Sequence, residues 1–205
     1  MFKSTLYLFF FCGLIGICNA QTQEINFSQS DDHIQIPGTQ YMMVPPDDSF
    51  TISDKFHGLV GPNEFSAINI TEMPMSFETV VPMFAKDMPI EELTEEKDYM
   101  INGNNVKMYK TERLADPNNE DSMMNFWIML HENEKATFML AATFESAKEK
   151  IYSSNFEKSL LSFMFLEDKE VDPQDGLQFS LDITNTPLKF ASCLLYTSPS
   201  PRDRG

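Results

Sequence analysis

Cysteine is scarce in this 205-residue chain and absent from its middle, since Cys12, Cys18 and Cys193 all lie near an end. No disulfide framework and no thiolate metal site can form between residues 21 and 192, so the fold must rest on its core. About 150 residues suffice for one. Histidine is limited to His33, His57 and His131. His131-Glu132 opens "HENEK", which has no second histidine at the zincin position, so His131 reads as a turn residue. There is no G-x-S-x-G elbow and no Walker or dinucleotide glycine pattern, and the few glycines fall in turns. Basic residues are also few. Setting aside Lys3, Arg202, Arg204 and Asp203 leaves 12 basic against 30 acidic residues and a formal charge of −18 for residues 21–192. A phosphate backbone needs a basic face, so no nucleic-acid partner is expected. The excess acid favours a soluble, monomeric protein. Eighteen phenylalanines separate the chain from a disordered acidic tail.

Both ends read as segments outside the fold. Lys3, the apolar run Leu6–Ile17 and "CNA" before Gln21 form a signal peptide over residues 1–20, with cleavage expected after Ala20. The run is too short to span a bilayer, and no other stretch approaches the ~20 apolar residues of a membrane helix. The expected location is therefore periplasmic or extracellular. Lipidation of Cys18 is the alternative, although Ile17 stands where a lipobox needs a small residue. At the other end, Cys193–Asp203 back-translates without a gap into a transposon end and primer tail of the kind used in sequencing libraries. Residues 193–205 are thus expected to be translated adapter; the alternative is a disordered Pro-rich tail.

Between the ends, residues 21–36 form a polar lead-in. "QYMMVPPDDSFTIS" (Gln40–Ser53) reads as strand, turn and strand, because proline cannot donate within a ladder and aspartate favours turns. "EFSAINITEM" is a strand with Ser66, Ile68 and Ile70 on one face. Ser76 is a candidate N-cap for a helix whose stripe is Phe77, Val80, Val81 and Phe84, with Pro82 as an internal obstacle. Asn102-Gly103 marks a hairpin turn. "MMNFWIML" and "ATFMLAATF" form a second hairpin, apolar enough for both faces to be covered. Phe156, Leu160, Leu161, Phe163 and Met164 give a second helix, expected to start at Ser154 with Glu157 closing a capping box. Residues 167–176 read as a charged linker. Residues 177–192, within which Gln178–Ser192 echoes Gln40–Ser53, read as the first strands of a truncated second unit.

Pro37-Gly38 leading to Met43-Val44-Pro45, then Ile68–Phe77, Ile101–Glu112, Phe126–Leu130 and Phe156–Phe163 follow one another as in a PsbP-like domain, which residues 37–166 resemble. The resemblance implies an α+β fold, an antiparallel sheet with two main helices packed on it. It also implies a role as an extrinsic binding or assembly factor outside the cytoplasm. No partner and no residue role is carried over.

Candidate chemistry is sparse. Asp116, Asn118 and Glu120 place oxygen donors at alternate positions, a weak calcium pattern without the glycine and terminal acid of a calcium loop; an acidic turn is the plainer reading. Trp127, Met42 and Met124 are candidates to line an apolar ligand pocket, with core packing as the alternative. The carboxylate pairs Glu91/Glu92 and Glu95/Glu96 are sequence neighbours and diverge on any regular element. Asn26 and Asn69 begin glycosylation acceptors. The expected function is an exported, non-enzymatic binding or assembly module whose partner is a protein or envelope component, with no cofactor. A carrier of a small apolar ligand held between sheet and helix is the alternative, and a hydrolase with dispersed carboxylates comes last.

Overall fold

Asn102 and Gly103 turn the chain with φ of 49° and 85°, the left-handed values for which their residue types suit them. That turn joins two long strands, β7 (Leu93–Ile101) and β8 (Asn104–Leu114). A second hairpin continues the meander with β9 (Met123–Glu132) and β10 (Thr137–Glu145). The computed structural model describes residues 22–166 except 64, 88–92, 117, 120, 121 and 135. The linker, the possible second unit, the signal and the adapter-like tail lie outside the described residues. So do Glu91/Glu92, Glu120 and Cys18.

The remaining described elements are β1 (Gln23–Ile25), β2 (Ile34–Gln35), β3 (Tyr41–Met43), β4 (Thr51–Ile52), β5 (Gly58–Val60), β6 (Ala67–Met73), helix α1 (Phe77–Asp87), helix α2 (Glu149–Leu161) and β11 (Met164–Phe165). Eight strands form one sheet in the order β1-β7-β8-β9-β10-β6-β5-β4, and β11-β3-β2 form a smaller one. The expected antiparallel sheet is in fact mixed, because β1 runs parallel to β7, with Gln23 opposite Tyr99 and Ile25 opposite Ile101. The lead-in is thus not a loose segment. Asn102 Oδ1 accepts the Phe27 N–H at 2.9 Å, Asn102 N–H donates to Ile25 O at 3.1 Å, and Ile25 and Phe27 pack on the core. A three-residue strand is too short for its alternation to be seen in a sequence.

Side chains alternate across a strand, so register assigns each residue to a face. On one face the rows Glu95-Lys110-Trp127-Ala142-Ile68 and Lys97-Met108-Met129-Leu140-Ile70 run across β7 to β6. Here α2, the small sheet and Phe163 bury the main core, with Phe50, Trp127, Phe138, Phe144, Phe156 and Leu160 all at most 5% exposed. On the other face α1 lays Val80 on Tyr109 and Leu130, with Phe77, Val81 and Phe84 partly buried beside them. Trp127 and Met129 therefore face α2 while Ile128 and Leu130 face α1, which is why "MMNFWIML" carries no alternation. Gly58, at φ 152° and opposite Asn69, lets β5 approach β6: a Cβ there would stand 1.9 Å from Ile68 O.

The helices differ from expectation at their starts and along their length. α1 runs unbroken through Pro82, which sits on its exposed side; with no N–H on Pro82, the Glu78 carbonyl lacks its helical donor. Ser76 does stand at its start, its carbonyl accepting from Thr79 and Val80 and its hydroxyl 3.1 Å from the Thr79 hydroxyl. α2 begins at Glu149, after a 3-10 turn Ser146–Lys148, so Ser154 lies inside the helix and is no cap. Glu157 closes no capping box and projects to the sheet instead. The buried stripe starts one turn earlier than the apolar letters suggest, at Tyr152, and continues through Phe156 and Leu160. Met164 and Phe165 have left the helix to pair with β3.

Candidate functional site

The row Glu95-Lys110-Trp127 puts a lysine between a carboxylate and an indole in the middle of the sheet. Lys110 is only 8% exposed. Its Nζ lies 2.8 Å from Glu95 Oε2, 2.7 Å from Glu157 Oε2 and 4.2 Å from the centre of the Trp127 ring, which receives it as a cation–π partner. Glu157 arrives from α2 and also takes the Tyr99 hydroxyl at 2.8 Å and Lys97 Nζ at 3.2 Å. Lys97 returns to Glu95 Oε1 at 2.9 Å. Two carboxylates thus share two ammonium groups and a phenol, and tie the second helix to β7 and β8.

Beside this network a cleft of about 260 Å³ opens, lined by Thr94, Glu95, Lys110, Asn125, Trp127, Glu149 and Ser153. A separate groove of about 590 Å³ along α2 shares Glu149 and Ser153 with it and runs past Ser154, Glu157 and Lys158. Burial would raise the carboxyl pKa of Glu157, but its bonds to Lys110, Tyr99 and Lys97 outweigh that and hold it below the ordinary range. Glu95 is lowered in the same way by Lys110 and Lys97. The bond to Glu95 is the largest cause holding the Lys97 ammonium above its ordinary range. Burial first, and then Glu157, push the Tyr99 phenol up. Every one of these shifts fixes the charge state the group already has at neutral pH. A proton donor or acceptor for catalysis needs the opposite, a pKa brought toward neutrality.

The sequence-chosen pocket residues are not brought together. Trp127, Met42 and Met124 are 2%, 4% and 5% exposed. Trp127 lines the cleft, but Met124 is three residues away on the same strand and so faces the other side of the sheet, while Met42 belongs to the small sheet opposite Met164 and Gln35. Asp116 Oδ1 accepts the Asn118 backbone N–H at 2.9 Å and lies 3.2 Å from its amide, a local turn. Among the described residues no group of three or more His, Cys, Asp or Glu side chains could hold a metal ion. His131 is not in the turn: it is a strand residue, 4% exposed, its Nδ1 2.7 Å from Glu132 O and its ring edge-on to Phe163. Burial pushes its pKa down to about 4.

Lys110, Glu157 and Tyr99 escaped notice as a site. One signal was legible: Lys110 stands two residues on from Met108 and four from Val106, on the face those residues mark as inward. A lysine there needs partners.

With strands on both sides of the central hairpins and a helix on each face, the molecule is a mixed α/β protein. No family model and no curated protein matches the chain. Among solved structures it is similar to the solution structure of cyanobacterial PsbP from Synechocystis sp. PCC 6803, at 14% identity and a TM-score of 0.44, over 75% of this chain and 96% of that one. No residue role and no partner is taken from it. Among the described residues no helix is long and apolar enough to cross a membrane.

Proposed function

We propose that this chain is an exported, non-enzymatic binding or assembly module, and that the cleft beside α2 is its contact site for a protein or envelope component. The observation that supports this most is the charge balance at Lys110: the converging carboxylates are saturated by lysines and a phenol and are held as anions. Such a site presents fixed charges at a polar cleft, the features of a recognition surface, and offers no group poised to move a proton. Glu149, exposed at the start of α2, and Ser153 give the cleft a polar rim where a partner's own donors and acceptors can pair.

A photo-crosslinking residue placed at Ser153, compared with one at Asn69 on the opposite face of the sheet, tests the reading on envelope and secreted fractions of the host. The expected result is one defined adduct from position 153, absent from position 69 and lost in Glu149→Lys. Equal labelling from both positions overturns the site. Turnover of any ester, amide or glycoside that disappears in Glu95→Gln overturns the non-enzymatic reading. Sequencing the N-terminus of the secreted protein tests export: Gln21 is expected first, and retention of Met1 in a cytoplasmic protein opposes it.

A further inference from the structure

On the face of the sheet away from that cleft, one buried polar atom has no partner. The Tyr109 hydroxyl is shut off from solvent, and among the described residues nothing accepts or donates to it. Native proteins leave few such groups, and each calls for an explanation such as a missing water, an ion or a functional role. Tyr109 lies in the layer between α1 and the sheet, touching Val80 and Leu130, with Met73, Phe77, Phe84 and Met139 around it. Only Val80 of the α1 stripe is fully buried; Phe77, Val81 and Phe84 are partly open to solvent. α1 also lacks one internal hydrogen bond at Pro82. Methionine thioethers repack readily around varied shapes.

We propose that the layer between α1 and the sheet is a binding site for an elongated apolar molecule carrying one neutral hydrogen-bond acceptor, a ketone or ester carbonyl, which receives the Tyr109 hydroxyl proton.

The chemistry around the phenol selects a neutral group over an anion. Glu96 is directly opposite Tyr109 and Asp98 directly opposite Lys107, on the same face of the sheet. Lys107, whose Nζ lies 5.9 Å from the centre of the Tyr109 ring, is already held by Glu96 at 2.5 Å and by Asp98 at 2.9 Å. Burial would lower the Lys107 pKa, yet these two bonds keep it above its ordinary range. The nearby cation is thus spoken for, and two carboxylates against one ammonium repel a ligand carboxylate. Burial also raises the Tyr109 phenol, so it stays protonated and donates its O–H to the carbonyl oxygen. The apolar tail would lie along Val80, Phe84, Ile128 and Met139, parting α1 from β9 and β10 by side-chain rearrangement. The site is separate from the cleft at Lys110, and the proposal stands or falls without it.

A neutral acyl-dimethylaminonaphthalene dye is a suitable probe, because its ketone accepts one hydrogen bond and its emission moves to the blue in an apolar site. The expected results are saturable blue-shifted binding to the whole chain, competition by methyl dodecanoate, and at least about tenfold weaker competition by dodecanoate, a difference of ~1.4 kcal/mol. Tyr109→Phe should keep or raise the melting temperature, since it deletes an unpartnered hydroxyl, and weaken the dye about tenfold. Trp127 is on the opposite face, so its emission reports folding of each variant independently. Three results overturn the proposal: no saturable dye binding, which would leave an ordered water as the Tyr109 partner; unchanged dye affinity in Tyr109→Phe; or dodecanoate competing as well as its methyl ester. Because the cleft and this layer lie on opposite faces of the sheet, equal crosslinking from positions 153 and 69 with retained dye binding marks failure of the cleft alone, and absent dye binding with a defined adduct from position 153 marks failure of this site alone.

Discussion

The two faces of one sheet are built on different principles. Beneath α2, aromatic rings interlock: Phe156 lies 4.7 Å from Phe144, 5.4 Å from Phe50 and 5.8 Å from Tyr152, centre to centre. The charges at its margin are fully paired around Lys110 and Glu157. Beneath α1, the buried cluster is small, formed by Val80, Tyr109 and Leu130, the helix contains a proline, and the Tyr109 hydroxyl has no hydrogen-bond partner among the described residues. The contrast teaches that covering a face is not the same as closing it. α2 is fixed by shape and by ion pairs at once, whereas α1 is held by apolar contact with few specific constraints, so motion and ligand entry are cheaper there.

Truncation should separate the faces most strongly. Phe156→Ala is expected to destabilise the chain by about 3–5 kcal/mol, because a fully buried ring leaves a cavity, and Phe84→Ala by no more than about half as much. Urea unfolding of both variants measures this, and equal losses would erase the contrast.

Acid should act on the α2 face next. His131 is buried in its neutral form with a pKa lowered to about 4. Its contribution is therefore complete above the unfolded value near 6.5 and is lost as pH falls toward 4, because the unfolded chain then binds the extra proton. The loss across that window is expected to reach ~3 kcal/mol. His131→Leu should flatten the stability profile there, and a curve as steep as the original would show that His131 is open to water.

Glu157→Gln comes third. It leaves Lys110 with one carboxylate and Tyr99 with a weaker acceptor, at about 2 kcal/mol, below the figure for a sealed pair because Glu157 is part-exposed. Since its pKa is depressed, the contribution it removes is present above about pH 4.5 and disappears on further acidification. The two stability curves should therefore converge at low pH, and a gap that persists there would point to packing in place of charge.

The smallest effect has the opposite sign. Pro82→Ala restores the bond to the Glu78 carbonyl on an exposed position and should stabilise the chain by about 1 kcal/mol, part of it offset by the freer unfolded chain. Amide exchange within α1 should slow accordingly; faster exchange would mean the proline holds the helix in place.

Much of this architecture was legible because it rests on local chemistry. Asn102-Gly103 placed its hairpin through tolerance of positive φ, and the unbroken apolar run of β9 announced two covered faces. Ile68 and Ile70 marked the inner side of β6, with Ser66 just before it, and all three are buried. The errors came where a neighbour outweighed the local signal. Ser154 and Glu157 have the letters of a capping box, but the turn before them is helical because Tyr152 finds Phe50 and Phe144 to pack on. His131 looked like a turn residue because the polar "HENEK" follows it, yet register with Val106 and Phe138 carries it into the core.

Hydrophobic order and turn chemistry by themselves determined the long strands, where the two central hairpins reverse, and that both faces of the central strands are covered. Only the tertiary structure decided what each face is for. Lys110 meets Glu157 across 47 positions of chain, and the Tyr109 hydroxyl is left without a hydrogen-bond partner among the described residues beneath a helix about thirty positions away, because pairing and isolation of polar groups depend on what folds over them.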